Sequence, residues 1–376
     1  MQQDQSKKYT YFISGGGTGG HIYPAVSIVQ ELLKEEDTEK IFYVGNPKNL
    51  EYEIIEKYPE VEFLPVSVKG MPRNFTFKFI KWLWNLEIST WKALYYILKY
   101  KPDVIFTTGG YVSAPVAFAA IILKKNFMIH DCDIQPGLVS KLVAPFAKYV
   151  SVAFEKSKKR LKSENIVVNG NPVRSSFNEY SKEEARKILG LEDKLTVMAM
   201  GGSQGANTIN NSVIEIAKYL VEDLNLQLII QTGRKNYADI LDRISQIWPE
   251  NEDNKSLVIR PYFDNMAIPL NASDIVISRA GSLSLSEINS CALASILIPY
   301  PYAAADHQRK NAIEMIENGA ALYIEDDVCS PNKILSAIKS LIDNPNKLKS
   351  MSESSRLLAR PDASKNIINQ LKSVAK

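Results

Sequence analysis

Short apolar runs rich in β-branched residues alternate along this chain with longer stretches whose apolar positions recur every three or four residues. That alternation predicts parallel strands joined by crossover helices. Strands are expected at 9–14, 40–45, 61–68, 104–109, 127–130 and 149–154, and in a second series at 195–201, 226–233, 256–263, 274–279, 295–300 and 321–325. Between the series, "NGNPVRSS" at 169–176 breaks both helix and strand, and is read as a link between two domains. Beyond it, Ser181 and Glu184 have the spacing of a capping box at the head of "SKEEARKIL". The tail from 348 onward is helical in pattern with no strand after it, and is expected to pack across the link or back on the first domain. The domains are therefore placed at 1–172, joined by a C-terminal helix at 352–376, and at 173–351. The fold class is α/β, two Rossmann-like halves whose strand carboxyl ends and loops lie along a shared cleft, where ligands are expected.

Composition narrows the class. The chain has 376 residues, 45% hydrophobic and 23% charged, enough for two separate cores. The first twenty residues are polar and glycine-rich, so no secretory signal is expected and the protein is read as internal to the cell. Cys132, Cys291 and Cys329 are scattered and lack CxxC spacing, which suggests neither a disulfide framework nor a zinc site. The net charge of +3 is too small to argue for nucleic acid, yet residues 1–172 carry 22 Lys/Arg against 17 Asp/Glu. One segment explains the excess: seven basic residues and one acid, Glu87, lie between Val66 and Lys101.

The candidate chemistry sits in glycine-rich loops. "GGGTGG" at 15–20 follows the first strand and opens a helix, so bare backbone and a positive helix end meet there, suited to a polar, negative ligand. It matches the dinucleotide pattern GxGxxG, but the second strand ends in Gly45 and Asn46 where a ribose-binding acid is wanted, so an NAD-dependent oxidoreductase stands as the alternative. His21 follows at once, in the first helical turn. The other two histidines, His130 and His307, also fall at expected strand-to-helix junctions. "TTGGYVSAP" at 107–115 and "MGGSQGAN" at 200–207 repeat the strand, glycine turn, helix theme; the latter, with Ser203, suits an anionic oxygen but lacks the GK[ST] of a P-loop. In "SRAGSLSLSEI" at 278–288, Glu287 is placed to accept ribose hydroxyl protons.

Taken in order, "GGTGGHIYPA", "GGYVSAP", "GNPVR", "GGSQGAN", "SRAGSLSLSE" and "DHQRKNA" make the chain resemble the MurG family, the bacterial enzymes that add N-acetylglucosamine to undecaprenyl-pyrophosphoryl-N-acetylmuramyl-pentapeptide in peptidoglycan synthesis. The resemblance covers nearly the whole chain. It implies a glycosyltransferase B architecture with acceptor on the first domain, UDP-N-acetylglucosamine mainly on the second, and inversion at the anomeric carbon with neither metal nor cofactor. Thr18, Gly19 and Gly20 then lie near the phosphates, and Arg174 and Ser203 contact the donor. The backbone of Phe263 meets the uracil, while Ser282, Leu283, Ser284, Leu285, Ser286 and Glu287 carry the nucleotide. Gln308 reads the sugar hydroxyls, with His307 beside it. Where many relatives read HEQN this chain has "HDCD" at 130–133, so Asp131 stands for a glutamate, and Asp133, counted with the substrate-binding residues, for an asparagine. His21 is the first candidate base and Asp131 the second. Another UDP-sugar glycolipid transferase and a non-catalytic peripheral membrane protein are the remaining alternatives.

A lipid-linked acceptor implies a membrane surface, and residues 69–100 supply independent grounds for one. They hold three of the four tryptophans and many other aromatics interleaved with lysine. Lys78, Lys81, Glu87 and Lys92 rule out a spanning helix, so Phe75, Phe79 and Trp84 are assigned to the headgroup zone, with Lys78 and Lys81 on anionic lipid. Trp91 and residues 94–98 are expected to face the sheet. The protein is thus placed peripherally on the cytoplasmic face of the cell membrane.

Overall fold

The computed structural model describes residues 7–72, 77–202, 204–251 and 254–375, without the side chains of Ser175 and Asn178. In the first half, β1 (Tyr9–Ser14), β2 (Thr38–Gly45), β3 (Val61–Pro65), β4 (Val104–Thr107), β5 (Phe127–Asp131), β6 (Tyr149–Val152) and β7 (Ile166–Val168) form one sheet in the order β3-β2-β1-β4-β5-β6-β7. Each neighbouring pair is parallel, Ile13 facing Tyr43 on one side and Phe106 on the other. In the second half, β8 (Thr196–Met200), β9 (Gln227–Gln231), β10 (Leu257–Arg260), β11 (Ile275–Ser278), β12 (Ala294–Leu297) and β13 (Ala321–Tyr323) form a parallel sheet in the order β10-β9-β8-β11-β12-β13.

The period of two along a strand explains how one sheet serves two cores. Tyr11 and Ile13 of β1 are buried with Ile22, Val26 and Val29 of α1 (Gly19–Leu32) and with Ile367, Leu371 and Val374 of the C-terminal helix Ala363–Val374. Phe12, between them, is buried on the opposite face with Ala93, Leu94 and Ile97 of α3 (Phe77–Tyr100) and with Val116 and Ala120 of α4 (Gly110–Ile122). The strands of the second sheet are equally enclosed: every residue of β8, β9, β11 and β12 is buried, as strands covered on both faces must be.

The chain divides into two units, Met1–Val173 with Pro361–Lys376, and Arg174–Arg360. The helix Pro345–Leu358 belongs to the second unit, so the return to the first begins at Pro361 rather than at 352. Lys372 fastens the returning helix with ion pairs to Glu35 (2.7 Å) and Asp37 (2.8 Å). Near the start of the second unit the expected capping box is in place: Ser181 Oγ accepts from the Glu184 amide (3.2 Å), and the Glu184 carboxylate accepts from the Ser181 amide (2.8 Å). Most strands end one to three residues short of the sequence reading, β10 at Arg260 rather than 263 and β12 at Leu297 rather than 300, and one strand was not expected at all. The third strand stops at Pro65, which has no N–H of its own, although the Val66 amide after it still donates to the Gly45 carbonyl (2.8 Å), and β7 is three residues long, too short for its pattern to register.

Each sheet reverses its strand order at one place, between β1 and β4 in the first and between β8 and β11 in the second. Open parallel sheets hold their ligands outside the carboxyl ends of the strands at such a point. The glycine loops after β1, β4 and β8, and the serine-rich turn after β11, all leave the sheets there.

Because Leu371 is fully buried in the first unit's core, Leu371→Ala is expected to cost roughly 2–5 kcal/mol. Urea unfolding followed by tryptophan fluorescence measures this; a cost below about 0.5 kcal/mol would mean that the returning helix adds nothing to that core.

Candidate active site

The first unit's candidate groups gather where β1 and β4 end. Thr18 is the N-cap of α1 in extended conformation, and its carbonyl accepts from the His21 (3.0 Å) and Ile22 (3.1 Å) amides. The amides of Gly19 and Gly20 precede any intrahelical acceptor, at a helix end that favours negative charge, and Thr18 and Gly20 are exposed. His21 Nδ1 lies 2.9 Å from the Thr108 carbonyl, in the loop after β4, and Thr108 Oγ1 donates back to the His21 carbonyl at 2.6 Å. A carbonyl can only accept, so Nδ1 carries a proton, and of the two neutral tautomers the one that fits has its lone pair on Nε2. The fit demands bare backbone: a Cβ on Gly110 (φ +73) would stand 2.8 Å from the His21 ring.

Asp131 ends β5 and is 2% exposed. Its Oδ1 accepts from the Asp133 amide and its Oδ2 from the Gly137 amide, both at 3.2 Å, which closes the loop ahead of α5 (Leu138–Val143). Burial pushes the Asp131 carboxyl above its usual value. The Ser140 hydroxyl opposes the rise, Asp133 adds to it, and His21 and the Asp133 amide oppose it again. Asp133 itself is half-buried, its carbonyl accepting from Ser157 (3.0 Å).

His130 does not sit at a junction as expected. It lies inside β5, fully buried, with Nδ1 2.9 Å from Ser151 Oγ and Nε2 3.1 Å from Asn171 Oδ1, and burial pushes it down to about 4. Both ring nitrogens are therefore spent on tying β5 to β6 and to the link. His307, half-buried, turns Nδ1 to the Ala304 carbonyl of its own turn (2.8 Å).

In the second unit, Arg174 donates to the Asp264 carbonyl at 3.2 Å, and its other guanidinium nitrogen stands 4.0 Å from Glu287 Oε1. Glu287 is on the helix Ser282–Ser290, whose N-cap is Gly281 with no side chain to cap it. Its side chain is 12% exposed, and burial pushes the carboxyl up to about 7 against the pull of Arg174. Ser282 is buried, and its carbonyl accepts from Ser286 Oγ (3.0 Å), while Leu283 and Ser284 are half-buried. Leu285 is fully buried, so its side chain has no ligand to reach. Gln308 Oε1 accepts from the Tyr300 amide at 3.0 Å. Ser203 lies outside the described residues.

Two organising residues escaped the sequence reading. Gln231, at the end of β9 and 2% exposed, accepts from the Phe263 amide (3.0 Å) and donates to the Gly202 carbonyl (3.3 Å), so the N–H of Phe263 is committed within the protein. Glu51, in α2 (Leu50–Ile55), supplies the acid that the end of the second strand lacks, but it is fully buried and accepts the Asn46 amide at 3.1 Å. It is not offered to a ribose, which removes the ground for an NAD site. Both act across distant sequence positions, and no local pattern marks them.

α3 presents a continuous apolar stripe. Phe77, Ile80, Trp84, Ile88, Trp91, Tyr95 and Leu98 are all exposed and recur at steps of three and four, opposite the buried Ser89, Ala93, Leu94 and Ile97. Trp91, at 65% exposure, together with Tyr95 and Leu98, faces away from the sheet, contrary to expectation. Phe79 is half-buried against Trp82, ring centroids 5.5 Å apart, and Phe75 lies outside the described residues. Lys78, Lys81, Lys92 and Lys99 are exposed. Among the described residues no helix is long and apolar enough to cross a membrane.

Residues 11–152 match the glycosyltransferase family 28 N-terminal domain and residues 196–367 the family's C-terminal domain. The UDP-N-acetylglucosamine--N-acetylmuramyl-(pentapeptide) pyrophosphoryl-undecaprenol N-acetylglucosamine transferase of Carboxydothermus hydrogenoformans is 37% identical over 366 residues, 96% of this chain and 97% of that protein. The Bacillus pumilus protein of the same description is 32% identical over 363 residues, covering 96% and 98%. Among solved structures, Acinetobacter baumannii MurG superposes with a TM-score of 0.75 at 22% identity, covering 97% of this chain and 99% of its own. A putative UDP-N-acetylglucosamine 2-epimerase from Listeria monocytogenes follows the same fold at a TM-score of 0.70 and 15% identity, covering 97% and 96%.

The raised Glu287 carboxyl makes stability depend on pH in a defined direction. Unfolded, the group ionises near pH 4.5; folded, near 7, so the native state holds the extra proton and loses relative stability as pH rises through that window. Glu287→Gln is expected to match wild type at pH 4.5 and to exceed it at pH 8 by on the order of 2–3 kcal/mol at most. Urea unfolding at the two pH values checks this, and a difference independent of pH would contradict it.

Proposed function

The chain belongs to glycosyltransferase family 28, and from that membership we propose that it transfers N-acetylglucosamine from UDP-N-acetylglucosamine to an undecaprenyl-pyrophosphoryl N-acetylmuramyl-pentapeptide, with inversion, in peptidoglycan synthesis. The observation that carries the chemistry is His21: with Nδ1–H held by the Thr108 carbonyl, Nε2 is left as a proton acceptor beside exposed helix-end amides. In the proposed reaction an acceptor hydroxyl attacks C1 of the donor sugar. Its proton passes to Nε2, and the electron pair of the C1–O bond leaves with UDP. Asp131 is the less suited base, because both its oxygens already accept N–H bonds from its own loop; it shapes that loop beside Asp133.

On the second unit the departing negative charge is met by Arg174, by the amides opening the helix Ser282–Ser290, and by the loop that contains Ser203. Glu287 accepts the ribose hydroxyls, and Gln308 reads the sugar through its amide nitrogen, its oxygen being occupied by Tyr300. Since the Phe263 N–H belongs to Gln231, the uracil N–H is assigned to the Phe263 carbonyl. Thr18, Gly19 and Gly20 serve the phosphate side of the acceptor or donor.

The acceptor's lipid tail accords with α3. Its stripe runs the length of a 24-residue helix, about 36 Å, and presents aromatic rings flanked by lysines, each lysine adding roughly 1 kcal/mol on an anionic surface. The protein is accordingly read as peripheral on the cytoplasmic face of the membrane.

UDP release from UDP-N-acetylglucosamine in the presence of the lipid-linked acceptor tests the assignment, and absence of release from the folded protein would sink it. His21→Ala is expected to lower kcat roughly tenfold or more while leaving the fold intact, as circular dichroism would show; near-normal turnover would remove His21 from the chemistry. In vesicle flotation, the wild type is expected to rise with anionic liposomes, and a Trp84→Ala, Trp91→Ala, Tyr95→Ala triple variant to stay behind. Equal flotation of the two would clear α3 of any membrane role.

A further inference from the structure

Beneath the first glycine loop lies a carboxyl group that the proposed reaction does not use. Glu51 is fully buried at the start of α2. Its Oε1 accepts from the Asn46 amide (3.1 Å) and from Asn49 Nδ2 (3.3 Å), and its Oε2 from the Gly17 amide (3.5 Å). All three partners are donors, and among the described residues no ion pair reaches it. A buried carboxyl group is costly unless such donors surround it, so the arrangement is a demanding one for a mere filler of space.

The loop is fitted closely around this group. A Cβ on Gly16 would stand 2.6 Å from Glu51 Oε1, and one on Gly17 (φ +90) 2.5 Å from the Tyr111 ring. The Tyr43 hydroxyl donates to the Gly15 carbonyl at 2.5 Å, and burial, reinforced by Glu51, pushes its ionisation well above the usual value, so it stays a donor. Gly17 directly precedes Thr18, the N-cap of α1. Its left-handed backbone sets where the helix begins, and hence where the Gly19 and Gly20 amides and the His21 ring point.

We propose that Glu51 is a positioning residue for the transfer reaction: by holding the Gly17 amide it fixes the start of α1 and, through it, the direction of His21 Nε2. The proposal rests on the reading of His21 as the base. Glutamine separates this role from packing, because it has the same size and shape but only one acceptor end. With its oxygen kept on Asn46 and Asn49, its NH2 would oppose the Gly17 N–H, donor against donor.

Steady-state kinetics of the full chain with UDP-N-acetylglucosamine and lipid-linked acceptor test it. Glu51→Gln is expected to lower kcat at least about tenfold while the donor KM stays within about threefold. Added to His21→Ala, it is expected to lower kcat by less than about threefold, since the group it positions is gone. Wild-type kcat in folded Glu51→Gln overturns the proposal, as does an undiminished loss in the His21→Ala background. Should Glu51→Gln not fold, Asn49→Ala withdraws one donor from the same carboxyl group: a lower kcat at constant KM supports the proposal, and an unchanged kcat overturns it. A wild-type chain without transferase activity would instead strike at the proposed function.

Discussion

The hydrogen bond from the His21 ring to the Thr108 carbonyl is the interaction on which the first site depends, because it joins the two loops that flank the reversal of strand order. It requires β1 and β4 to be neighbours, which the sheet order supplies, and it requires glycine at 110, where any side chain would strike the imidazole. It also decides the tautomer. Were the partner a hydroxyl, the ring could turn either nitrogen outward; a backbone carbonyl permits one arrangement. The reciprocal bond from Thr108 Oγ1 to the His21 carbonyl fixes the backbone as well as the ring, so the histidine is oriented before any ligand arrives.

The second unit solves a different problem with similar topology. It buries a carboxyl group, Glu287, at the reversal between β8 and β11 and leaves its nearest cation 4.0 Å away, too far for a tight pair. Glu287 is consequently raised to about 7 and stands near the balance between its two forms. A ligand that offers hydroxyl donors favours the ionised form, whereas a ligand without them leaves the burial uncompensated. In the proposed role, a ribose meets that need through its hydroxyls and an analogue lacking them leaves it unmet. Gln231 stiffens the same region by pinning the loop after β8 to the loop after β10.

The strands were legible because a strand covered on both faces is written as a short, almost wholly apolar run; β7, at three residues, carries too little sequence to show it. The glycine loops were legible because they follow such runs and open helices. Glu51, Gln231 and His130 were not. Their bonds join Glu51 to Gly17, Gln231 to Phe263 and His130 to Asn171, across 34, 32 and 41 positions, and only the folded sheet brings those pairs together. α3 was misread for another reason. Both of its faces are apolar, Ala93, Leu94 and Ile97 on one and Trp84, Trp91 and Tyr95 on the other, so residue type alone does not tell the core side from the outer one.

His130 shows what a histidine means when both nitrogens are occupied. It accepts and donates within a buried network that runs from Ser151 through Asn169 to Gln370 on the returning C-terminal helix, and through Asn171 to the Cys132 carbonyl. Asn169 and Asn171 belong to the link just before the chain leaves the first unit, and Gln370 to the helix that follows its return. The outgoing and returning segments are therefore held by one set of hydrogen bonds on the first unit. Since burial pushes His130 down to about 4, it remains neutral throughout the physiological range, and a network built on a neutral ring does not loosen when the surroundings acidify mildly. The same residue type is thus used in two ways within the first unit: at 130 both nitrogens are closed off to make an anchor, and at 21 the Thr108 carbonyl takes one nitrogen, leaving the other for the role proposed above.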